Sequence, residues 1–226
     1  MKFDFTGSVK CISLDLRCYS SLRELSITGW HSSSLPLELH LFTNLHFLKL
    51  YDCQKLDSFP DGGFPSNLRG LVIWNCPKLI ALRQEWGLFR LNSLKSFFVS
   101  DEFENVESFP EESLLPPTLT YLNLSNCSKL RIMNNKGFLH LKSLKDLYIV
   151  DCPSLERLPE KEGLPNSLSN LYIRNSPLLK EKYQNKKEEP WDTICHFPDV
   201  SIDENLQQKP VDAAGKYNRF FLIETS

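Results

Sequence analysis

The chain has 226 residues, of which 41% are hydrophobic and 24% are charged. This apolar content excludes a disordered chain, and the low count of nine glycines excludes a collagen. The net charge of −2 gives no bulk positive field that would recruit nucleic acid or an anionic membrane. Leucine is in excess, with 38 residues, and 36 of them lie before residue 180.

The first residues contain no apolar run of seven or more, so we expect no secretory signal. No window approaches the roughly 18 apolar residues of a membrane-spanning helix. The seven cysteines are an odd number, and without secretion the expectation is reduced thiols in the cytoplasm or the nucleus. Residues 1–20 contain one alternating apolar run at Ile12, Leu14 and Leu16, which we interpret as a degenerate repeat or the start of a truncated array.

Residues 21–180 repeat the pattern L-x-x-L-x-L-x-x-C with small variations. The first positions of the units are Leu22, Leu45, Leu68, Leu94, Leu119, Leu144 and Leu168. The intervals between them are 23, 23, 26, 25, 25 and 24 residues, so the chain is an array of about seven repeats rather than one globular core.

The spacing inside each unit predicts a short β-strand. The sharpest feature is a pair of apolar residues two positions apart, such as Leu48 and Leu50, and this is the period of a strand. Strands that recur about every 24 residues cannot be joined as hairpins, because each chain return must cross the other face. We therefore predict a parallel sheet on one side, seven strands forming an arc on the order of 30 Å long.

The segments between the predicted strands are of two kinds. Residues 59–65, 109–117 and 158–165 are rich in proline, which fixes φ and favours extended or short 3₁₀ paths. Residues 85–91 and 136–141 lack proline and favour a helical turn. The predicted fold is therefore an α/β-type solenoid, with a regular sheet on its concave face and an irregular, 3₁₀ or short-helical convex side.

The composition changes after residue 180. Residues 181–202 begin with a strongly charged run and continue with scattered apolar residues, which indicates a C-terminal cap over the last repeat. Residues 203–226 show no periodicity and are expected to be a flexible tail.

The repeat resembles the leucine-rich repeat, in the variant of the C-terminal repeats of plant nucleotide-binding leucine-rich-repeat disease resistance proteins. The resemblance rests on three stretches with the same form, Leu48 to Leu56, Leu71 to Leu79 and Leu147 to Leu155. It implies a horseshoe fold and a domain of an intracellular immune receptor, which senses pathogen effectors and restrains a nucleotide-binding switch. The chain contains no G-x-x-x-x-G-K-[ST] motif, so nucleotide binding would reside elsewhere.

Large side chains stand between the inward-facing residues of the predicted strands, where the solvent-facing surface is expected. The candidate protein-binding residues on this concave face are Lys49, Tyr51, Trp74, Phe98, Tyr148, Tyr172 and Arg174. Tyrosine, tryptophan and arginine are the usual anchors of interfaces, and the mixed charge favours a protein partner over nucleic acid. The alternative is that neighbouring rings pack laterally and only stabilise the sheet.

Nothing in the sequence points to catalysis, a cofactor or a metal. Cys53, Cys76, Cys127 and Cys152 are too far apart for a paired zinc motif and occupy one slot of the repeat, where we expect small buried side chains. The five histidines show no triad or ligand spacing. We therefore predict a non-enzymatic interaction module. The alternative is a leucine-rich-repeat substrate adaptor of a ubiquitin ligase, although the chain has no F-box-like helical segment.

Overall fold

The structure is a computed structural model that describes residues 2–6, 21–35, 38–59, 63–101, 103–104, 106–184 and 189–203. Within these residues, nine strands form one sheet in which every neighbouring pair is parallel. In sheet order they are β1 (Lys2–Thr6), β2 (Glu24–Thr28), β3 (Phe47–Tyr51), β4 (Gly70–Trp74), β5 (Ser96–Ser100), β7 (Tyr121–Ser125), β9 (Asp146–Val150), β10 (Asn170–Arg174) and β11 (Asp199–Ile202). The predicted parallel sheet is confirmed.

The apolar pair of each repeat lies on the buried side of this sheet. Leu48 pairs in register with Leu71, and Leu122 pairs with Leu147, and none of the four is exposed to solvent. Because equivalent residues stack strand upon strand, the core is one continuous cluster from Leu22 to Phe197. Each repeat buries its apolar face only against its neighbours, as in a solenoid.

The convex side is irregular, as predicted. Its helices are α1 (Pro77–Ala81), α2 (Asn135–Phe138), α3 (Pro177–Tyr183) and α4 (Glu189–Asp192). Single 3₁₀ turns occupy residues 39–41, 83–85, 88–90 and 161–163. Two short strands, β6 (Ser108–Phe109) and β8 (Ile132–Met133), pair in parallel as a second, smaller sheet.

Two strands of the main sheet were not predicted. β1 places Phe3 in register with Leu25, and β11 places Val200 in register with Leu171. The run at Ile12, Leu14 and Leu16 lies outside the described residues, and so does the predicted tail after Asp203. Residues 181–202 bury Ile194 and Phe197 next to the last repeat, and their role as a cap stays a prediction.

Candidate protein-binding face

The concave face of the sheet carries three columns of side chains, because each five-residue strand turns its first, third and fifth residues toward this side. The third and fifth positions are the two columns predicted from the repeat pattern, and the strand register aligns them as predicted. The first position was missed. Its residues are Glu24, Phe47, Gly70, Ser96, Tyr121, Asp146, Asn170 and Asp199.

One aromatic cluster lies on the first half of this face. The rings of Trp74 and Phe98 stack in parallel, with centroids 5.9 Å apart and an interplanar angle of 5°. Tyr51 is in register with Trp74 on the neighbouring strand. All three side chains are half-buried, so each one keeps a solvent-facing surface in the isolated chain. We call Tyr51, Trp74 and Phe98 the tryptophan cluster.

A second aromatic cluster occupies the later strands. The rings of Tyr148 and Tyr172 stack with centroids 4.5 Å apart, close to the separation of neighbouring strands. The ring centroid of Tyr121, from the first column, lies 5.1 Å from that of Tyr148. The Tyr172 hydroxyl donates a 2.7 Å hydrogen bond to the Asp199 carboxylate. We call Tyr121, Tyr148 and Tyr172 the tyrosine cluster. The lateral packing that the sequence left open is therefore present here.

Small polar residues separate the two clusters. Ser100 and Ser125 are in register in the fifth column, and Asn123 lies beside Phe98 in the third. Ser125 donates a 2.6 Å hydrogen bond to the Asn123 side-chain carbonyl, and the Asn123 amide donates to the Tyr121 hydroxyl at 3.3 Å. This polar gap is fixed by hydrogen bonds rather than filled by rings.

The expectation that the predicted binding residues all face solvent was wrong for three of them. Lys49, Tyr148 and Tyr172 are only 8%, 9% and 7% exposed. The tyrosines are covered by each other and by Tyr121, whereas the Lys49 ammonium forms a 2.6 Å ion pair with Glu24 on the neighbouring strand. Arg174, at the end of β10, is exposed as predicted.

The edge of the face at the strand ends is built from left-handed residues. Asp52, Asn75, Asp151 and Asn175 all have φ near 50° and directly follow their strands. Aspartate and asparagine tolerate this region better than other side chains. The Asn75 amide donates to Asp52 and the Asn175 amide donates to Asp151, both at 2.8 Å, so neighbouring repeats are tied together at this edge.

The left-handed residue turns the chain inward, and the next side chain enters the core. Cys53, Cys76, Cys127 and Cys152 occupy this slot without solvent exposure, and their sulfurs lie 3.2 to 3.4 Å from the carbonyl oxygen two residues earlier. The hydrogen bond with Cys53, together with burial, raises the pKa of Cys76, and burial raises the pKa of Cys127. Cys76 and Cys127 are therefore held as neutral thiols, and all four cysteines are buried structural components of the repeat.

In the part of the chain that the structure describes, no helix is long and apolar enough to cross a membrane. Among the same residues, no group of three or more His, Cys, Asp or Glu side chains is arranged to hold a metal ion.

A curved parallel sheet with a leucine ladder behind it, one strand per 22 to 29 residues, defines a leucine-rich-repeat solenoid. No protein-family model matches the sequence. The leucine-rich repeat domain of the type III effector XopL has the same fold, with a TM-score of 0.51 over 74% of this chain and 66% of that chain at 19% identity.

The sequence of this solenoid has a relative in a plant. A candidate disease resistance protein of Arabidopsis thaliana (At3g14460) is 38% identical over 170 residues, which are 75% of this chain and 12% of the relative's length. The chain is therefore a leucine-rich-repeat domain related to plant disease resistance proteins, and the resemblance predicted from its repeats is confirmed. It spans only a small part of the relative that it matches.

Proposed function

We propose that the chain is the recognition part of a plant intracellular immune receptor and acts by binding protein, without catalysis. On this proposal its concave face contacts a pathogen effector, the receptor's own nucleotide-binding domain, or each of them in turn. The relationship to a candidate disease resistance protein supports the setting. The observation that carries the binding proposal is the tryptophan cluster, which leaves three large rings half-buried on one concave surface.

Energetics favour the tryptophan cluster over the tyrosine cluster as the anchor. Truncation of a buried aromatic residue costs binding energy only if the ring reaches the partner, and Trp and Tyr are the commonest such anchors. Tyr148 and Tyr172 already have most of their surface covered within the chain, so they have little area left to contribute. Trp74 and Phe98 form a stacked, half-buried pair, and a partner that covers this pair removes more apolar area from water.

The concave proposal is tested by replacing Trp74 with alanine in the full chain. Binding to the receptor's nucleotide-binding domain and to candidate effectors is measured by calorimetry, and we expect affinity for the true partner to fall at least about tenfold. Leu178→Ala is the matched control, because Leu178 is an exposed apolar residue on α3, away from this face. Unchanged affinity of the Trp74 variant for every partner that binds the wild type would refute the concave site.

A further inference from the structure

The edge of the sheet at which the strands begin is strongly basic, and this is separate from the concave face. The residue directly before each strand forms a ladder of its own across the repeats. From β2 to β9 its members are Arg23, His46, Arg69, Lys95, Thr120 and Lys145. We call this row, together with Lys142 in the adjoining turn, the basic rim.

Backbone hydrogen bonds fix the rim as one continuous row. The His46 amide donates to the Arg23 carbonyl and the Arg69 amide donates to the His46 carbonyl, at 2.8 and 2.7 Å. The same link joins Lys95 to Arg69, and the row continues through Thr120 to Lys145, at 2.8 to 2.9 Å. Successive members are therefore one strand apart, about 4.8 Å, and the row spans about 24 Å.

The rim carries no compensating carboxylates. The turns that lead into the seven strands from β2 to β10, residues 21–23, 43–46, 66–69, 92–95, 117–120, 142–145 and 166–169, hold five Lys or Arg and no Asp or Glu. The whole chain, by contrast, has 28 acidic residues against 26 basic ones. All five basic residues are exposed. The nearest carboxylates on the strands are Glu24, which is ion-paired with Lys49, and Asp146, which accepts a hydrogen bond from the Asn170 amide.

Like charges at neighbouring positions of a sheet repel, so Arg69 and Lys95 in adjacent positions do not favour folding. The remaining polar side chains of the turns are directed to structure. Asn67 donates to the Thr43 carbonyl and Ser167 donates to the Leu144 carbonyl, at 2.8 and 2.7 Å. Of the rim residues, Lys95 donates one long hydrogen bond of 3.4 Å to the Thr118 carbonyl, and repulsion between like charges along the row adds nothing to stability.

Exposed apolar residues accompany the rim. Leu41, Phe89 and Leu139 are 48%, 45% and 57% exposed, and each lies two or three residues before a rim turn. Leu139 also lines a cleft of about 430 Å³ together with Lys142 and Asn166 of two neighbouring turns. Charge and apolar surface are therefore offered side by side.

We infer that the basic rim docks an extended acidic segment of a partner protein, in which carboxylates alternate with apolar side chains. About seven extended residues span the 24 Å row, and their alternation would set carboxylates on the rim and apolar groups toward Leu139. A nucleic acid fits less well, because the rim turns contain no Phe, Tyr or Trp on which bases could stack. This site does not depend on the concave face.

The test uses the full chain and a labelled synthetic peptide of about ten residues that alternates Glu and Leu, long enough to cover the row. Fluorescence anisotropy at low and physiological salt measures binding. We expect the double variant Arg69→Glu/Lys95→Glu to weaken binding at least about tenfold, with weaker binding also at higher salt. The control Lys55→Glu/Lys129→Glu makes the same charge change in the turns after β3 and β7, at the opposite edge, and should change affinity less than about twofold.

A variant that should bind more tightly keeps the test decisive even if the charge-reversal variants fail to fold. Thr120 is the uncharged member of the row from β5 to β9, so Thr120→Lys should tighten peptide binding by about threefold or more. Equal loss in the rim and control variants would mean unspecific attraction and would overturn the site. Tighter, rim-dependent binding of a single-stranded RNA oligonucleotide than of the peptide would overturn the choice of partner. We expect the Trp74→Ala variant to bind the peptide with unchanged affinity, which would show that the rim site is independent of the concave face.

Discussion

Loss of the Lys49 ammonium should destabilise the fold more than it affects any partner. Lys49 and Glu24 lie 2.6 Å apart with side chains only 10% and 9% exposed. At an effective dielectric constant of about 20 their attraction is about 6 kcal/mol, and desolvation of the two charges offsets most of it. Lys49→Met leaves the Glu24 carboxylate desolvated without this cation. We expect a loss of about 3 kcal/mol in the free energy of unfolding, the lower end for buried pairs because the site is slightly open.

Urea unfolding followed by circular dichroism measures this loss. The double variant Glu24→Gln/Lys49→Met should recover to within about 1 kcal/mol of the wild type, because both buried charges of the pair are then removed together. Arg131→Met is the matched control, since Arg131 and Glu156 are also 2.6 Å apart but 53% and 42% exposed. Its effect should be too small to resolve. If Arg131→Met and Lys49→Met destabilise the chain equally, burial is not what makes the Lys49 pair important.

Two further predictions concern the core. Gly137→Ala should lower the free energy of unfolding by at least about 2 kcal/mol, although alanine favours helices, because the added Cβ would overlap the Pro110 carbonyl oxygen. Urea unfolding checks this against the exposed neighbour Lys136→Ala, and equal stability of the two variants would contradict it. Cys127 should resist alkylation by iodoacetamide at pH 8 while the exposed Cys195 reacts, because burial raises the pKa of Cys127 and only the thiolate is nucleophilic. Peptide mass spectrometry reads both sites, and equal labelling would show that the slot opens readily.

The repeat could be predicted because its residues alternate strictly. Every unit has an apolar pair two positions apart, as Leu48 and Leu50 are, and this spacing determines both the strand and the face that is buried. β1 and β11 were not predicted because phenylalanine, valine and isoleucine replace leucine at their alternating apolar positions. A pattern search that accepts any apolar residue at alternate positions would have found both.

The concave face was predicted in direction but not in exposure. Alternation shows which side of the sheet Tyr148 occupies, whereas its exposure depends on Tyr172 on one side and Tyr121 on the other. The ring of Phe47 on β3 likewise lies against Gly70 on the neighbouring strand β4, where an added Cβ would be only 2.6 Å from a ring carbon. Such contacts depend on side-chain rotamers and on the first column of the concave face. The prediction did not include that column, because strand boundaries are the least certain part of a strand prediction. The binding roles of these residues stay predictions.

The polar gap has a consequence for how such a surface can change over generations. Many side-chain hydrogen bonds of the array join residues 23 to 28 positions apart, that is, one repeat apart. A duplicated repeat would therefore find equivalent partners on both sides, and it could be inserted between Phe98 and Asn123 without breaking either aromatic cluster. The distance between the two clusters would then change in steps of about 4.8 Å, one strand at a time. Unequal recombination could thus change the spacing of the two clusters on the concave face while each cluster keeps its own packing.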